Sequence, residues 1–183
     1  MPAPMAEKSY TYADWCAWDD DKRWELIDGT AYSLASPSVR HQEISANLLI
    51  QLTDILAGKP CKAYLAVGVR LNADRADDTV FIPDVSVVSD GSKIGENTIN
   101  GAPDLVIEIL SPSTARYDML TKFQQYEKYA VREYWVVDPA SRTVQAHVLG
   151  DGIFGLTRIY NSSDKISINT LESREIDLLK VFA

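Results

Sequence analysis

Apolar residues recur at helical spacing through the segment 39–56, which predicts a long amphipathic helix. Ser38 stands where a helix cap belongs, and Gly58-Lys59-Pro60 supplies a stop signal after the segment. The positions that make up the apolar face are Ile44, Leu48, Leu52, Ile55 and Leu56. This pattern is typical of a helix that packs one face against the rest of a folded domain.

Residues 10–18 predict a short opening helix, and the stretch WELIDGTAYSLAS after them predicts a hairpin. Thr11 is placed to cap the helix, with Asp14 three residues later where a capping box has its acid. Asp28-Gly29 is typical of a two-residue hairpin turn between short strands. We expect residues 1–9 to form a flexible N-terminal segment.

Four apolar runs in the middle of the chain predict strands, and a third predicted helix lies between the last two. The predicted strands cover residues 63–71, 79–88, 104–110 and 133–137, and the helix covers 115–130. A loop rich in Gly, Asn and Ser spans 91–101, and a hairpin with strands at 144–149 and 156–160 turns at Gly150-Asp151-Gly152. With a short helix in the tail ESREIDLLKVFA, this mixture predicts a single α/β or α+β domain over 1–183, with a mixed sheet.

The run DLVIEIL, residues 104–110, predicts a central strand that is buried on both faces. Alternation puts Asp104, Val106, Glu108 and Leu110 on one face, and both faces are otherwise apolar. Glu108 is therefore a carboxylate in apolar surroundings, which costs several kcal/mol unless it is paired or bound to a metal. A buried ion pair with Arg or Lys is the structural alternative to a metal site.

Asp84 lies inside another apolar run, FIPDVSVV, directly after Pro83. Proline cannot donate a hydrogen bond to a strand ladder, so the strand must bend or lie at an edge there and present the carboxylate. A second Pro-Asp pair, Pro103-Asp104, follows Asn100-Gly101 and fits a turn better. We therefore interpret Asp104 as structural and Asp84 as the candidate site residue.

Two carboxylates, water and phosphate oxygens are the ligands that Mg²⁺ usually takes. Such a metal polarises a phosphodiester and activates water, and the transition state also needs a nearby cation. Two residues after Glu108 stands Leu110, not a lysine. The next helix offers Lys122, one turn after Asp118. The alternative for this pair is a surface salt bridge worth ~0–1 kcal/mol.

Further candidates surround these acids in the sequence. His41 stands near the start of the long helix, where it can donate to a phosphate, ligate a metal or orient an acid; the alternative is an ordinary polar residue at a helix start. Glu43 on the same helix and Glu25 before the hairpin turn are additional metal or supporting candidates. Tyr126 follows Lys122 by one turn, a position that favours packing over catalysis, and we keep it as a supporting candidate. His147 is expected on the surface of a hairpin strand.

Composition narrows the function without fixing it. The net charge is −8 and the sequence pI about 4.7, which argues against a protein that coats nucleic acid non-specifically but does not exclude a nuclease. Two cysteines without CxxC spacing favour a reducing cytoplasm and no structural zinc. No apolar run approaches the ~20 residues of a membrane helix. Phosphate-binding loops, GxSxG and HExxH motifs are absent from the sequence.

The motifs RWELIDG, SPSVRHQEI and IPDVSVV and the block 103–139 together resemble the Uma family of putative restriction endonucleases, in the PD-(D/E)XK nuclease superfamily. The similarity spans residues from about 10 to 179. It implies a restriction-endonuclease-like core, a central mixed sheet flanked by helices. It also implies Asp84 and Glu108 as the ligands of Mg²⁺ or Mn²⁺, with Lys122 supplying the positive charge. His41 matches the family's first-helix histidine, and Glu25 and Asp28 match its strand and turn.

Three functions follow from this interpretation. The first is a metal-dependent endonuclease that hydrolyses phosphodiester bonds of DNA. The second is an inactive nuclease-fold protein that binds nucleic acid or another protein, which suits the missing strand lysine and the acidic charge. The third is a small-molecule metal hydrolase with the same acids. A homodimer is a further expectation, because duplex cleavage needs two cuts and EYWVV with the following hairpin offers an apolar surface.

Overall fold

The computed structural model describes residues 9–111, 118–155, 158–171 and 174–183, with the backbone alone for 118 and 119. The helices are α1 (Tyr12–Cys16), α2 (Val39–Leu56), α3 (Phe123–Lys128) and α4 (Leu178–Val181). Short 3-10 turns cover Gly91–Lys93 and Asn169–Leu171, and a π-helical turn, Asp118–Lys122, leads directly into α3.

The strands of the first half are β1 (Arg23–Ile27), β2 (Thr30–Leu34), β3 (Lys62–Leu65), β4 (Gly68–Arg70), β5 (Val80–Phe81), β6 (Val85–Val88) and β7 (Thr98–Asn100). Those of the second half are β8 (Leu105–Ile109), β9 (Glu133–Asp138), β10 (Thr143–Gly150), β11 (Ile153–Phe154), β12 (Arg158–Asn161), β13 (Lys165–Ile168) and β14 (Arg174–Asp177).

These strands form two main sheets and one small hairpin. The first sheet has the order β2-β1-β5-β4-β7, and the second has the order β11-β10-β9-β8-β6-β3, with β12 also paired to β10. Strands β13 and β14 pair with each other. The β8–β9 and β4–β7 pairs are parallel and the others antiparallel. The predicted mixed sheet with flanking helices is therefore confirmed.

Two strands predicted as continuous, 63–71 and 79–88, are each divided between the two sheets. The first splits into β3 and β4, and the second into β5 and β6. At the breaks, Ala66 has a positive φ of 51°, and its N–H donates to the carbonyl of Asp84 over 3.1 Å. Pro83 cannot donate to a ladder, which favours the second break. Both segments thus pass from one sheet to the other beside the hydrogen bond between Ala66 and Asp84.

The second sheet carries the main core on both faces. Against one face packs the apolar side of α2, with Leu48 and Leu52 fully buried, together with β13, β14 and α4. Leu105, Ile107 and Ile109 point to this face. Val106 points to the other, where α3 contributes Tyr126 to a second buried cluster. The alternation predicted for residues 104–110 is confirmed, and it puts Glu108 on the α3 side.

Local signals in the sequence are matched closely. Helix α2 has the predicted bounds, and the Ser38 hydroxyl accepts from the His41 N–H over 3.2 Å. Thr11 and Asp14 form the predicted capping box of α1. Asp28 and Gly29 take the positive φ values, 45° and 79°, that a two-residue hairpin turn requires. Local hydrogen-bond chemistry is sufficient to fix each of these features.

Other expectations need correction. The segment 91–101, predicted as a loop, contains β7, which pairs with β4. Of the helix predicted over 115–130, residues 112–117 lie outside the described part, and the rest begins with a π-helical turn. The tail holds β14 as well as the predicted short helix. The strand expected at 156–160 is observed as β12, after the separate β11, and residues 156 and 157 are not described.

The surface position expected for His147 is wrong. Its side chain is buried against the rings of Phe123, Tyr134 and Phe154. Burial lowers the pKa of His147, because an apolar environment disfavours the imidazolium ion. Phe123 of α3 packs against His147, a contact that the hairpin sequence does not indicate.

Two further expectations concern the chain as a whole. Of the N-terminal segment predicted to be flexible, residues 1–8 lie outside the described part. None of the helices in the described part is long and apolar enough to cross a membrane.

Candidate active site

A cleft of about 680 Å³ opens where the two sheets diverge. Its lining includes all four residues that the sequence predicted as catalytic, His41, Asp84, Glu108 and Lys122. They come from α2, the crossing before β6, the end of β8 and the π-helical turn. The tertiary structure therefore brings together residues that are up to 81 positions apart, from 41 to 122.

Asp84 is held beside β8 by a main-chain hydrogen bond. Its Oδ2 accepts from the Ile109 N–H over 2.8 Å and lies 3.1 Å from His41 Nε2. Because Ile109 follows Glu108 directly, this bond holds the Asp84 carboxylate against β8, the strand that carries the other predicted metal ligand. Every hydrogen bond described for Asp84 uses Oδ2, and the side chain is 16% exposed. Oδ1 is thus the oxygen that Asp84 can offer to a ligand.

His41 is positioned by the first turn of α2. Since an ionised carboxylate can only accept hydrogen bonds, Nε2 is the nitrogen that carries the proton toward Asp84. Nδ1 is buried and has no hydrogen-bond partner among the described residues. His41 therefore fixes the orientation of Asp84 from the helix side of the cleft.

Lys122 is the centre of a buried cluster of charged side chains. Lys122 Nζ lies 2.9 Å from Glu108 Oε1 and 3.0 Å from Glu25 Oε1, and the three side chains are at most 4% exposed. Tyr126 donates its O–H to the same Glu108 oxygen over 2.7 Å, and the Ile82 N–H donates to Glu25 Oε1 over 2.8 Å. The buried ion pair considered for Glu108 is therefore present, with Lys122 as its cation.

The protonation state of Tyr126 follows from this cluster. Burial raises the pKa of Tyr126 well above its ordinary value, and the charge of Glu108 raises it further, while Lys122 acts in the opposite direction. The phenol therefore stays protonated at neutral pH and serves as a hydrogen-bond donor to Glu108. It has no role as a proton acceptor in this range.

The charges of the site leave room for a divalent cation. With Glu25, Asp84 and Glu108 ionised, Lys122 neutralises one of three negative charges. Among the residues described, no three His, Cys, Asp or Glu side chains come together to hold an ion by themselves. Mg²⁺ typically uses one or two carboxylates and completes its shell with water and phosphate oxygens. The acid pair Asp84 and Glu108 provides the two carboxylates that such a Mg²⁺ ion uses.

Other predicted residues lie apart from the acid pair. Glu43 is 54% exposed and pairs with Arg40 over 3.4 Å, so it does not join the cluster. Asp28 instead binds Lys128 at 3.0 Å, and it also accepts from Gln125. The side chain of Asp118 lies outside the described part of the chain.

Asp104, the acid of the second Pro-Asp pair, is bound to its neighbours in the fold. It accepts hydrogen bonds from the N–H and hydroxyl of Ser89, both 2.7 Å, and pairs with Arg132 at 2.9 Å. Burial by itself would raise the pKa of Asp104, but the Ser89 hydrogen bonds and the Arg132 guanidinium outweigh it and lower the pKa. These contacts agree with the structural role that the turn pattern indicated.

Some residues of the cleft had no part in the sequence interpretation. Arg23 lines the cleft and shares a strand face with Glu25, two residues on, so the period-two pattern of β1 was an available signal. The Ile109 N–H has no sequence signal, because main-chain donors are the same at every position. Glu25 had been a supporting candidate, yet it lies fully buried within the cluster.

Comparisons with known proteins relate nearly the whole chain to one family. The model of the Uma2 family, described as "Putative restriction endonuclease", matches residues 10–179. The Synechocystis sp. protein slr1290, uncharacterized, is 28% identical over 166 residues, which cover 86% of this chain and 84% of the relative. A second uncharacterized Synechocystis sp. protein, sll1609, is 25% identical over 152 residues, 81% of this chain and 85% of the relative.

The fold is similar to that of a solved structure described as a putative nuclease belonging to DUF820, from Anabaena variabilis. The TM-score is 0.76, and the match covers 94% of this chain and 97% of that chain at 18% identity. At this identity the similarity concerns the fold, and it confirms the nuclease-like fold expected from the sequence. With the family model spanning residues 10–179, the chain is a nuclease-like protein that belongs to the Uma2 family of putative restriction endonucleases.

Proposed function

We propose that the protein is a metal-dependent endonuclease that hydrolyses phosphodiester bonds of DNA, with Mg²⁺ or Mn²⁺ held by Asp84 and Glu108. The observation that carries the proposal is the hydrogen bond from the Ile109 N–H to Asp84, which holds Asp84 against the strand of Glu108, while both acids line one cleft. The charge balance of the site supports a divalent ion. Membership of the family supports a nuclease activity.

The protein's own residues prepare this site by holding both acids in place. When bound, the metal would polarise the phosphodiester and lower the pKa of an attacking water. Ile109 N–H and His41 fix Asp84, whereas Lys122 and Tyr126 fix Glu108. Ligands that are already oriented do not need to be ordered during the reaction, which is the advantage of a preorganised site.

Lys122 supplies the positive charge in this proposal. Its Nζ is within 3.0 Å of two carboxylates and lies at the cleft lining. A fixed cation at that position stabilises negative charge that develops on phosphate oxygens in the transition state. In this proposal Lys122, from the helical segment after β8, provides the positive charge that a lysine at the position of Leu110 would otherwise provide.

Substrate, assembly and location belong to the same proposal. DNA is the substrate we favour, because the matching family is described as "Putative restriction endonuclease". A homodimer would bring two clefts to the two strands of a duplex. The two free cysteines, Cys16 and Cys61, suit a reducing compartment, and we therefore place the activity in the cytoplasm.

The test combines metal titration with plasmid nicking. Mg²⁺ and Mn²⁺ are titrated by calorimetry into wild type, Asp84→Asn and the control Asp54→Asn, and nicking is measured on the same samples. Asp54 is exposed near the end of α2, far along the helix from His41, so its variant should match wild type. Loss of both metal binding and nicking in Asp84→Asn alone is expected. Absence of both in wild type would reject the proposal.

A second candidate function is a nuclease fold that binds DNA or a protein without cutting. The specific observation in its favour is that Lys122 is 4% exposed and already contacts both Glu25 and Glu108. In that case DNA binding would persist in EDTA, Asp84→Asn would leave it unchanged, and no preparation would nick plasmid. Nicking by wild type and its loss in Asp84→Asn therefore separate the two functions, whereas binding in EDTA is compatible with both.

A further inference from the structure

A second cavity of about 420 Å³ adjoins the cleft and shares Arg23 and Ile82 with its lining. Three of the four tryptophans of the chain line this aromatic pocket, with one tyrosine. Its rings are those of Tyr12, Trp15, Trp18 and Trp24. The described contacts of the acid cluster do not involve these rings, so the proposed hydrolysis leaves the pocket without a role.

Two of the rings are fixed by hydrogen bonds. The Trp15 indole N–H donates to the Trp24 carbonyl over 2.8 Å, and the Trp24 indole N–H donates to Asp20 over 2.9 Å. With their only polar atoms satisfied, these indoles contribute apolar ring surface to the cavity wall, and the Lys22 ammonium lies 5.6 Å from the centre of the Trp24 ring. Trp24 is buried, and Tyr12 and Trp15 are half-buried and stacked at 5.6 Å.

Trp18 differs from these two tryptophans. It packs edge-on against Trp24 at 5.4 Å and against Tyr10 at 5.2 Å, and it is half-buried. Its indole N–H has no hydrogen bond to the part of the chain that the structure describes. Trp18 therefore lines the pocket with a half-buried ring whose N–H donor is not used within the described residues. A flat ligand with polar edges matches that combination.

The polar residues of the pocket fit a nucleobase joined to a phosphate. Asp20 offers carboxylate oxygens and Asn97 an amide, which suit the donor and acceptor edges of bases. Lys22 and Arg23 supply positive charge, and Arg23 stands at the boundary with the cleft. Every base has a ring face that stacks on aromatic side chains, so such a pocket accepts bases of different kinds.

We propose that the aromatic pocket binds one unpaired DNA base next to the phosphate that is cleaved. This inference rests on the proposed function, because it takes the cleft as the site of the phosphate. A base inside a duplex is stacked and paired, so only single-stranded DNA or a base swung out of the helix can enter. Single-stranded or locally unpaired DNA is therefore the preferred substrate.

The test measures binding in EDTA, where no cleavage occurs. A short fluorescent single-stranded oligonucleotide and its duplex are titrated with wild type, Trp18→Ala and Trp18→Phe, followed by anisotropy and by tryptophan fluorescence. Wild type should prefer the single strand. Trp18→Ala should weaken that binding by about fivefold or more, the lower limit for one aromatic–base stack, whereas Trp18→Phe should retain most of it. Thermal unfolding of each variant checks that the fold is kept.

The outcomes separate this inference from the proposed function. Plasmid nicking with equal affinity for single strand and duplex would reject the pocket and leave the nuclease. Binding of single strands that depends on Trp18, without cleavage of plasmid or of a single-stranded oligonucleotide by any preparation in Mg²⁺ or Mn²⁺, would reject the nuclease and keep the pocket as a base-binding site. If Trp18→Ala does not fold, quenching of wild-type tryptophan fluorescence by mononucleotides decides. No quenching overturns the inference.

Discussion

The two glutamates of the buried cluster each have donors within hydrogen-bond distance. Glu25 has the Ile82 N–H and Lys122, and Glu108 has Lys122 and Tyr126. Lys122 is thus the shared counter-charge of two carboxylates, and the three side chains are at most 4% exposed. Removing one member of a buried pair costs far more than the pair contributes, because it leaves a charge without compensation.

We therefore expect Lys122→Met to destabilise the protein by about 3–5 kcal/mol, as measured by urea unfolding at neutral pH. The control is Lys128→Met, two turns along the same helical stretch, where Lys128 is 52% exposed and pairs with Asp28. This surface pair should contribute only about 0–1 kcal/mol.

The matched double variant Lys122→Met with Glu25→Gln should recover part of the loss, since it removes one uncompensated charge. Coupling of this kind is expected only for residues in direct contact. Equal losses in Lys122→Met and Lys128→Met would contradict the buried pairing, as would strict additivity in the double variant.

Three strands of the second sheet are connected through one side chain. Asp104 precedes β8, accepts from Ser89 just after β6, and pairs with Arg132 just before β9. These contacts hold the ends of β6 and β9 to the start of β8, the strand that carries Glu108. Because they lower the pKa of Asp104 from its ordinary 3.8, the folded state favours the ionised carboxylate.

This shift predicts a pH dependence of stability that belongs to Asp104. The folded-state pKa is lower than the unfolded one, so the stabilisation is complete above about pH 4 and is lost as the pH falls through the lowered value. We expect Asp104→Asn to be less stable than wild type at pH 7, and the difference in unfolding free energy to shrink at pH 3. Urea titrations at both pH values measure this difference.

Asp74→Asn provides the control for Asp104, because the Asp74 side chain is 77% exposed. Its difference from wild type should be small and equal at both pH values. A loss in Asp104→Asn that stayed constant from pH 7 to pH 3 would mean that packing, and not the ionised contacts, accounts for it.

The whole molecule is acidic, with a net charge of −8, and its proposed DNA site is poor in free cations. Among the described residues that line the cleft and the aromatic pocket, the cations are Lys22, Arg23, Arg40 and Lys122. Lys122 faces two carboxylates, and Arg40 binds the carbonyls of Phe182 and Ala183. Two cations, Lys22 and Arg23, remain for phosphates.

DNA affinity should therefore depend only weakly on salt. Neutralising two phosphates gives a slope of log K against log[salt] of about −1.4 for single strands, or −0.7 for each phosphate. Anisotropy titrations of wild type in EDTA at several salt concentrations measure it, and the free dye under the same conditions is the control. A slope steeper than about −4 would show a larger basic surface than these two residues provide and would contradict base stacking as the main contact.

The sequence predicted features that depend on neighbours a few residues away. The cap and bounds of α2, the Asp28-Gly29 turn and the alternation of residues 104–110 all follow from local hydrogen bonds and from the periods of helix and strand. The resemblance of the motifs supplied the choice of Asp84 and Glu108 as a pair. That choice stays a prediction until metal binding is measured, although both residues line one cleft.

Features that join distant segments were decided by the tertiary structure. The Ala66 N–H donates to the Asp84 carbonyl where two long predicted strands are each divided between the sheets. Glu25 pairs with Lys122, 97 positions later in the chain. His147 is buried because α3 covers its strand. None of these contacts has a signal in the adjacent sequence, since the energy of a buried charge or ring depends on which distant side chains pack around it. Local periodicity therefore determined most of the helices and strands, whereas packing determined how the strands divide between the sheets and which side chains meet at the site.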